Sequence, residues 1–153
     1  MPQPRSRRVA HLNLLAVTLL AIAFGTSIVK AQSSETFKAR LSPVPINVGM
    51  MSTVAGTGSL TATLTGKQLA IQGTFDGLKS SATTAQIHRS PKGIPGPAIA
   101  QFQLTVTNAA KGAVSGTIEL SPEQIADLRN GLWYVQIQSE RAPDGNLWGW
   151  LLR

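Results

Sequence analysis

From residue 36 to its end the chain is written in period two. Short runs alternate apolar and polar residues, a spacing that sends successive side chains to opposite faces of a β-strand. In 36–41 the apolar set is Phe37, Ala39 and Leu41, and in 113–120 it is Val114, Gly116, Ile118 and Leu120. Runs at 60–64, 68–75, 82–88, 98–107, 132–139 and 147–152 complete a series of about eight expected strands. Thr65-Gly66-Lys67 joins two of them as a hairpin that ends at Asp76-Gly77. Pro43 and Pro45 break the first run, and glycines 49, 56 and 58 make the stretch that follows a loop.

One helix is expected near residues 122–130. Ser121 suits its N-cap, Pro122 its first position, and Gln124 completes a Ser-x-x-Gln capping box. Ile125 and Leu128 give it an apolar face, and Gly131 supplies the left-handed residue that ends it. Closely spaced strands with one late helix predict an all-β fold. The expected form is an antiparallel β-sandwich, immunoglobulin-like or superoxide-dismutase-like, with the helix plugging one end.

The first thirty residues do not share this pattern. Arg5, Arg7 and Arg8 precede an apolar run over 14–24, and Val29-Lys30-Ala31 offers small residues at the positions a signal peptidase reads. This layout predicts a signal peptide over 1–31, an exported domain over 32–153, and a periplasmic or extracellular location. The apolar run is short for a membrane span, which takes about 20 residues. Membrane contact is therefore expected only during export. Removing the leader takes four of the fourteen basic residues and none of the seven acidic ones. Ten against seven remain, a net charge of +3 in place of +7. With no basic stripe and no interleaved aromatics, a nucleic-acid partner is not expected. The chain contains no cysteine. That excludes disulfides, thiolate metal sites and a cysteine nucleophile, so the domain depends on its core.

Several stretches resemble one family. LTGKQLAIQGTFDGLKSSATTAQIH (64–88), GIPGPAIAQFQL (93–104), GAVSGTIELSPEQIADLRNGLWYVQI (112–137) and GNLWGW (145–150) are similar to the chordin-type (CHRD) domain family. The resemblance implies a small, β-rich exported domain without established catalysis, and a role in binding. The chain departs from the family pattern at three strand ends. Ala85-Gln86-Ile87-His88 stands for Ala-His-Ile-His, and Tyr134-Val135-Gln136-Ile137-Gln138 for Tyr-Val-x-Val-His. Gly145-Asn146-Leu147-Trp148-Gly149-Trp150 stands for Gly-Glu-Ile-Arg-Gly-Gln.

These departures bear on chemistry. A His-x-His pair on one strand face suits copper or zinc, but here glutamines occupy two of the histidine positions and are poor ligands for either metal. The exported part keeps one histidine, His88, with no carboxylate beside it in sequence. No metal, no cofactor and no catalytic residue is expected. One histidine makes no nucleophilic triad, and Glu123 and Asp127 read as a solvated helix face. Val54-Ala55-Gly56-Thr57-Gly58 lacks the lysine of a phosphate loop.

The alternation also defines an outward set. Trp133, Val135 and Ile137 belong to the core face, which leaves Tyr134, Gln136 and Gln138 on the other. By the same rule Gln86 and His88, and Asn146, Trp148 and Trp150, face away from the core. Gln86, His88, Tyr134, Gln136, Gln138, Trp148 and Trp150 are thus the candidate binding residues. Indoles on an outer face have three readings: a ligand platform, a protein or self-association interface, or core covered by the loop at 43–58. The expected function is non-catalytic binding or structural association outside the cytoplasm, through a protein partner or self-association. The alternatives are a carbohydrate-binding module and a degenerate metal-binding, superoxide-dismutase-like domain.

Overall fold

The computed structural model describes residues 33–45 and 47–153. The leader expected at 1–31 lies outside the described residues. The strands are β1 (Ser34–Pro43), β2 (Thr57–Thr65), β3 (Gln68–Asp76), β4 (Ala82–Arg89), β5 (Ala98–Val106), β6 (Gly112–Glu119), β7 (Trp133–Ser139) and β8 (Ala142–Trp150). The helix α1 (Pro122–Arg129) lies between β6 and β7, and a single 3-10 turn occupies Val48–Met50. The all-β, antiparallel character and the single short helix are as expected.

The sandwich description is met only in part, because the strands close into a barrel in the order β1-β2-β3-β6-β5-β4-β7-β8. Two strands turn the corners. The first part of β1 pairs with β2, whereas Ser42 and Pro43 pair with Trp148 and Leu147 of β8. Likewise β5 pairs with β4 through Ala98, Gln103 and Leu104, then with β6 through Thr105 and Val106. A barrel has no free edge to pair with another chain. Alternation along one strand cannot announce such a change of partner.

The β1–β8 seam needs Gly149. A Cβ there would lie 2.5 Å from the Arg40 carbonyl oxygen and 3.1 Å from the Leu41 side chain. A side chain at 149 would therefore push the two strands apart.

The core fills the barrel. Phe37, Leu41, Leu60, Leu64, Leu69, Ile87, Trp133, Ile137 and Leu147 are all buried there. Helix α1 adds Ile125 and Leu128. Its capping box forms as the sequence predicts: Ser121 accepts from the Gln124 amide and the Gln124 side chain accepts from the Ser121 amide. Gly131 follows at φ +69°. Ion pairs tie the helix to strands, Asp127 to Arg89 at 2.6 Å and Arg129 to Glu35.

β8 begins at Ala142, earlier than the expected 147. Its first part is hidden in a register shift: Ser139 pairs with Ala142 but Ile137 with Leu147. Pro143, Asp144 and Gly145 (φ +138°) fall within that shift, so alternation is lost there although the strand continues.

Candidate functional site: an aromatic layer outside the barrel

All seven candidate residues lie on three adjacent strands. In one rung His88 of β4 pairs with Tyr134 of β7, which pairs with Trp150 of β8. In the next, Gln86 pairs with Gln136 and Gln136 with Trp148. Gln138 stands opposite Thr84. The register thus places these seven side chains on one face, as period two expects.

That face is largely covered. Every residue of β7 is buried, the outward ones included. Trp148 and Trp150 are only 9% and 8% exposed, and Tyr134 1%. They form a second apolar cluster with Val44, Val54 and Ala142, against which Met50 and Leu152 pack. Val44, Met50 and Val54 come from the β1–β2 connection, so the loop at 43–58 contributes to the cover.

The rings pack on one another with the offset and edge geometries aromatic pairs prefer. Trp148 and Trp150 have centroids 4.6 Å apart at 67°, and Tyr134 meets Trp150 at 4.6 Å and Trp148 at 5.8 Å. His88 stacks on Tyr134 at 4.9 Å.

Polar groups in this layer bond to the protein itself. Gln138 accepts from Thr84 Oγ1 at 2.7 Å and donates to Gln86 Oε1 at 3.1 Å. Gln136 Nε2 donates to the Asp144 carbonyl at 2.9 Å. The Tyr134 hydroxyl accepts from the Gly96 amide and donates to the Gly96 carbonyl. The Trp150 indole N–H donates to the Ser90 carbonyl at 3.1 Å. These bonds satisfy groups that would be costly to bury alone.

His88 Nδ1 lies 2.9 Å from the Gly96 carbonyl oxygen. A carbonyl only accepts, so Nδ1 carries a proton. Nε2 is buried without a partner. One imidazole nitrogen does not make a metal centre. Among the described residues no group of three or more His, Cys, Asp or Glu is placed to hold an ion.

Asn146 fastens the cover. It is fully buried, donates to Ser139 Oγ at 2.8 Å, and accepts from the Ala55 amide at 3.2 Å. Its backbone carbonyl accepts from the Val44 amide at 3.0 Å. Both described ends of the covering segment are thus bonded to one residue.

A cleft of about 370 Å³ stays open along one side of this layer. Trp148 and Trp150 line it with Lys38, Arg40 and Ser42 of β1 and with Lys92 from the β4–β5 connection. Sequence reasoning missed these four flanking residues. Lys38 and Arg40 occupy polar positions of the first alternating run and Ser42 follows it in the same period, which was the available signal. Their meeting with β8 depends on the long-range seam.

The described residues therefore form a closed antiparallel barrel with a second apolar layer on its outer face and a small cleft beside that layer. The family model of the CHRD domain matches residues 37–151, and the chain belongs to that family. No curated protein and no solved structure matches the chain.

Proposed function

We propose that this CHRD-domain protein is exported and acts outside the cytoplasm as a non-catalytic binding protein, with the cleft beside Trp148 and Trp150 as its binding site. One observation carries the reading: two indoles, rigidly packed by Tyr134 and by each other, meet an open cleft walled by exposed polar residues. Pockets that hold ligands combine apolar walls with a few placed polar groups. The leader read over 1–31 supports export.

The burial of the indoles bears on the kind of partner. A standard protein interface covers about 800 Å² on each side around aromatic anchors. Here the strongest anchors are already spent within the molecule, at 8–9% exposure. This favours a ligand that enters the cleft over a second protein lying flat on the face.

The test is retention of extracellular material by immobilised protein and by its Ser42→Trp variant, which fills the cleft from an exposed position. The wild type should retain a defined component that the equally stable variant does not. Equal retention by both, or none by either, contradicts the proposal.

A further inference from the structure

The cleft is cationic, and we infer that its ligand is an acidic polysaccharide, a sugar chain bearing carboxylate or sulfate groups. The inference rests on the binding reading above and names the ligand class for the same cleft.

Lys38, Arg40 and Lys92 are exposed and line one cavity. No carboxylate among the described residues lines it with them. The carboxylates that form ion pairs are engaged elsewhere, Glu35 by Arg129 and Arg153 and Asp127 by Arg89. Among the described residues none of the three cleft cations has an ion-pair partner. Three like charges held around an apolar floor, in a domain of small net charge, concentrate positive potential at that point.

The floor selects among anions. Trp148 and Trp150 line the cleft with the small part of their indoles left exposed, an apolar contact for one edge of a sugar ring, and Ser42 lines it with a hydroxyl. A volume of about 370 Å³ lies toward the small end of ligand pockets, roughly 300–1,000 Å³. That fits a short stretch of a sugar chain. A neutral glycan would leave the cations unused, and an apolar peptide would cover them unpaired, which is costly.

Titration with polygalacturonate, dextran sulfate and neutral dextran, read by tryptophan fluorescence and calorimetry, tests this. An acidic polymer should bind, more weakly as salt rises, and dextran should not. Polygalacturonate alone would assign a carboxylate ligand, dextran sulfate alone a sulfate one. Lys38→Gln/Arg40→Gln/Lys92→Gln should weaken binding about ten-fold or more. Removing three exposed charges elsewhere, Lys67→Gln/Lys79→Gln/Lys111→Gln, should leave it unchanged. All six positions are exposed, so melting temperatures should stay at the wild-type value. Dextran binding as tightly as the acidic polymers, equal weakening by the two triple variants, or no binding of either acidic polymer overturns the inference. If Ser42→Trp still abolishes retention in any of those cases, the cleft remains a binding site and only the ligand class falls.

Discussion

The side-chain oxygen of Asn146 accepts a hydrogen bond from the amide of Ala55, 91 positions earlier, at 3.2 Å. With the Val44 amide on the Asn146 carbonyl, this contact holds the β1–β2 connection over the outer aromatic layer. A position expected to face outward is fully buried, and it serves as the fastening of the cover.

Asn146→Ala should therefore loosen the cover. It leaves the Ala55 amide and the Ser139 hydroxyl without their partner, at a cost of about 1–3 kcal/mol for buried polar groups. Denaturant unfolding should show that loss, and acrylamide should quench tryptophan emission more strongly than in the wild type.

Trp150→Ala tests whether the outer layer is true packing. The indole touches Tyr134 and Trp148 and bonds to Ser90, so its removal should cost about 3–5 kcal/mol. Domains of this size have about 5–15 kcal/mol in total, and the melting temperature should fall steeply. A drop no larger than that of an exposed substitution would place the ring in solvent.

Gly149→Ala should open the β1–β8 seam. The added methyl meets backbone atoms of Arg40, and overpacking of this kind costs about 1–3 kcal/mol. Hydrogen exchange should accelerate at Lys38 and Leu152, whose amides bond to each other's carbonyls beside the seam.

Acid should release the ion pairs that tie the helix. The Arg129 guanidinium bonded to Glu35, with the charges of Arg129 and Arg153, holds that carboxyl below its ordinary value. Arg89 does the same for Asp127. Carboxyls held low in the fold stabilise it above the ordinary range of about 4, and that contribution disappears as pH falls through their lowered values. The melting-temperature gap between wild type and Glu35→Gln/Asp127→Asn should exist at neutral pH and close in acid. A gap that persists in acid contradicts this.

The covered tryptophans also predict the assembly state. With the apolar layer already packed under Val44, Met50 and Val54, light scattering should report a monomer. A dimer that dissociates on Lys92→Glu would place a second copy in the cleft.

What the sequence made legible was local. Period two assigned Tyr134, Gln136, Gln138, Gln86, His88, Trp148 and Trp150 to one side of their strands, and Ser121, Pro122 and Gln124 marked the helix start. Barrel closure was not legible, because β1 and β5 change partners without a change in their own pattern. The cover was not legible either, since Val44 and Val54 sit in a proline- and glycine-rich stretch that reads as plain loop. Lys38 and Arg40 stood in view as polar positions, but the long-range seam, Ser42 with Trp148 and Lys38 with Leu152, is what brings them to the indoles.

The three tryptophans permit the most direct test of the central claim. Trp133 is fully buried inside the barrel, while Trp148 and Trp150 line the cleft. In a nitrogen-15 spectrum of the indole N–H groups, adding short polygalacturonate or sulfated dextran chains should move the Trp148 and Trp150 signals and leave Trp133 in place. Binding by calorimetry with all three signals still, or with Trp133 moving as far as the others, would contradict the assignment of the cleft.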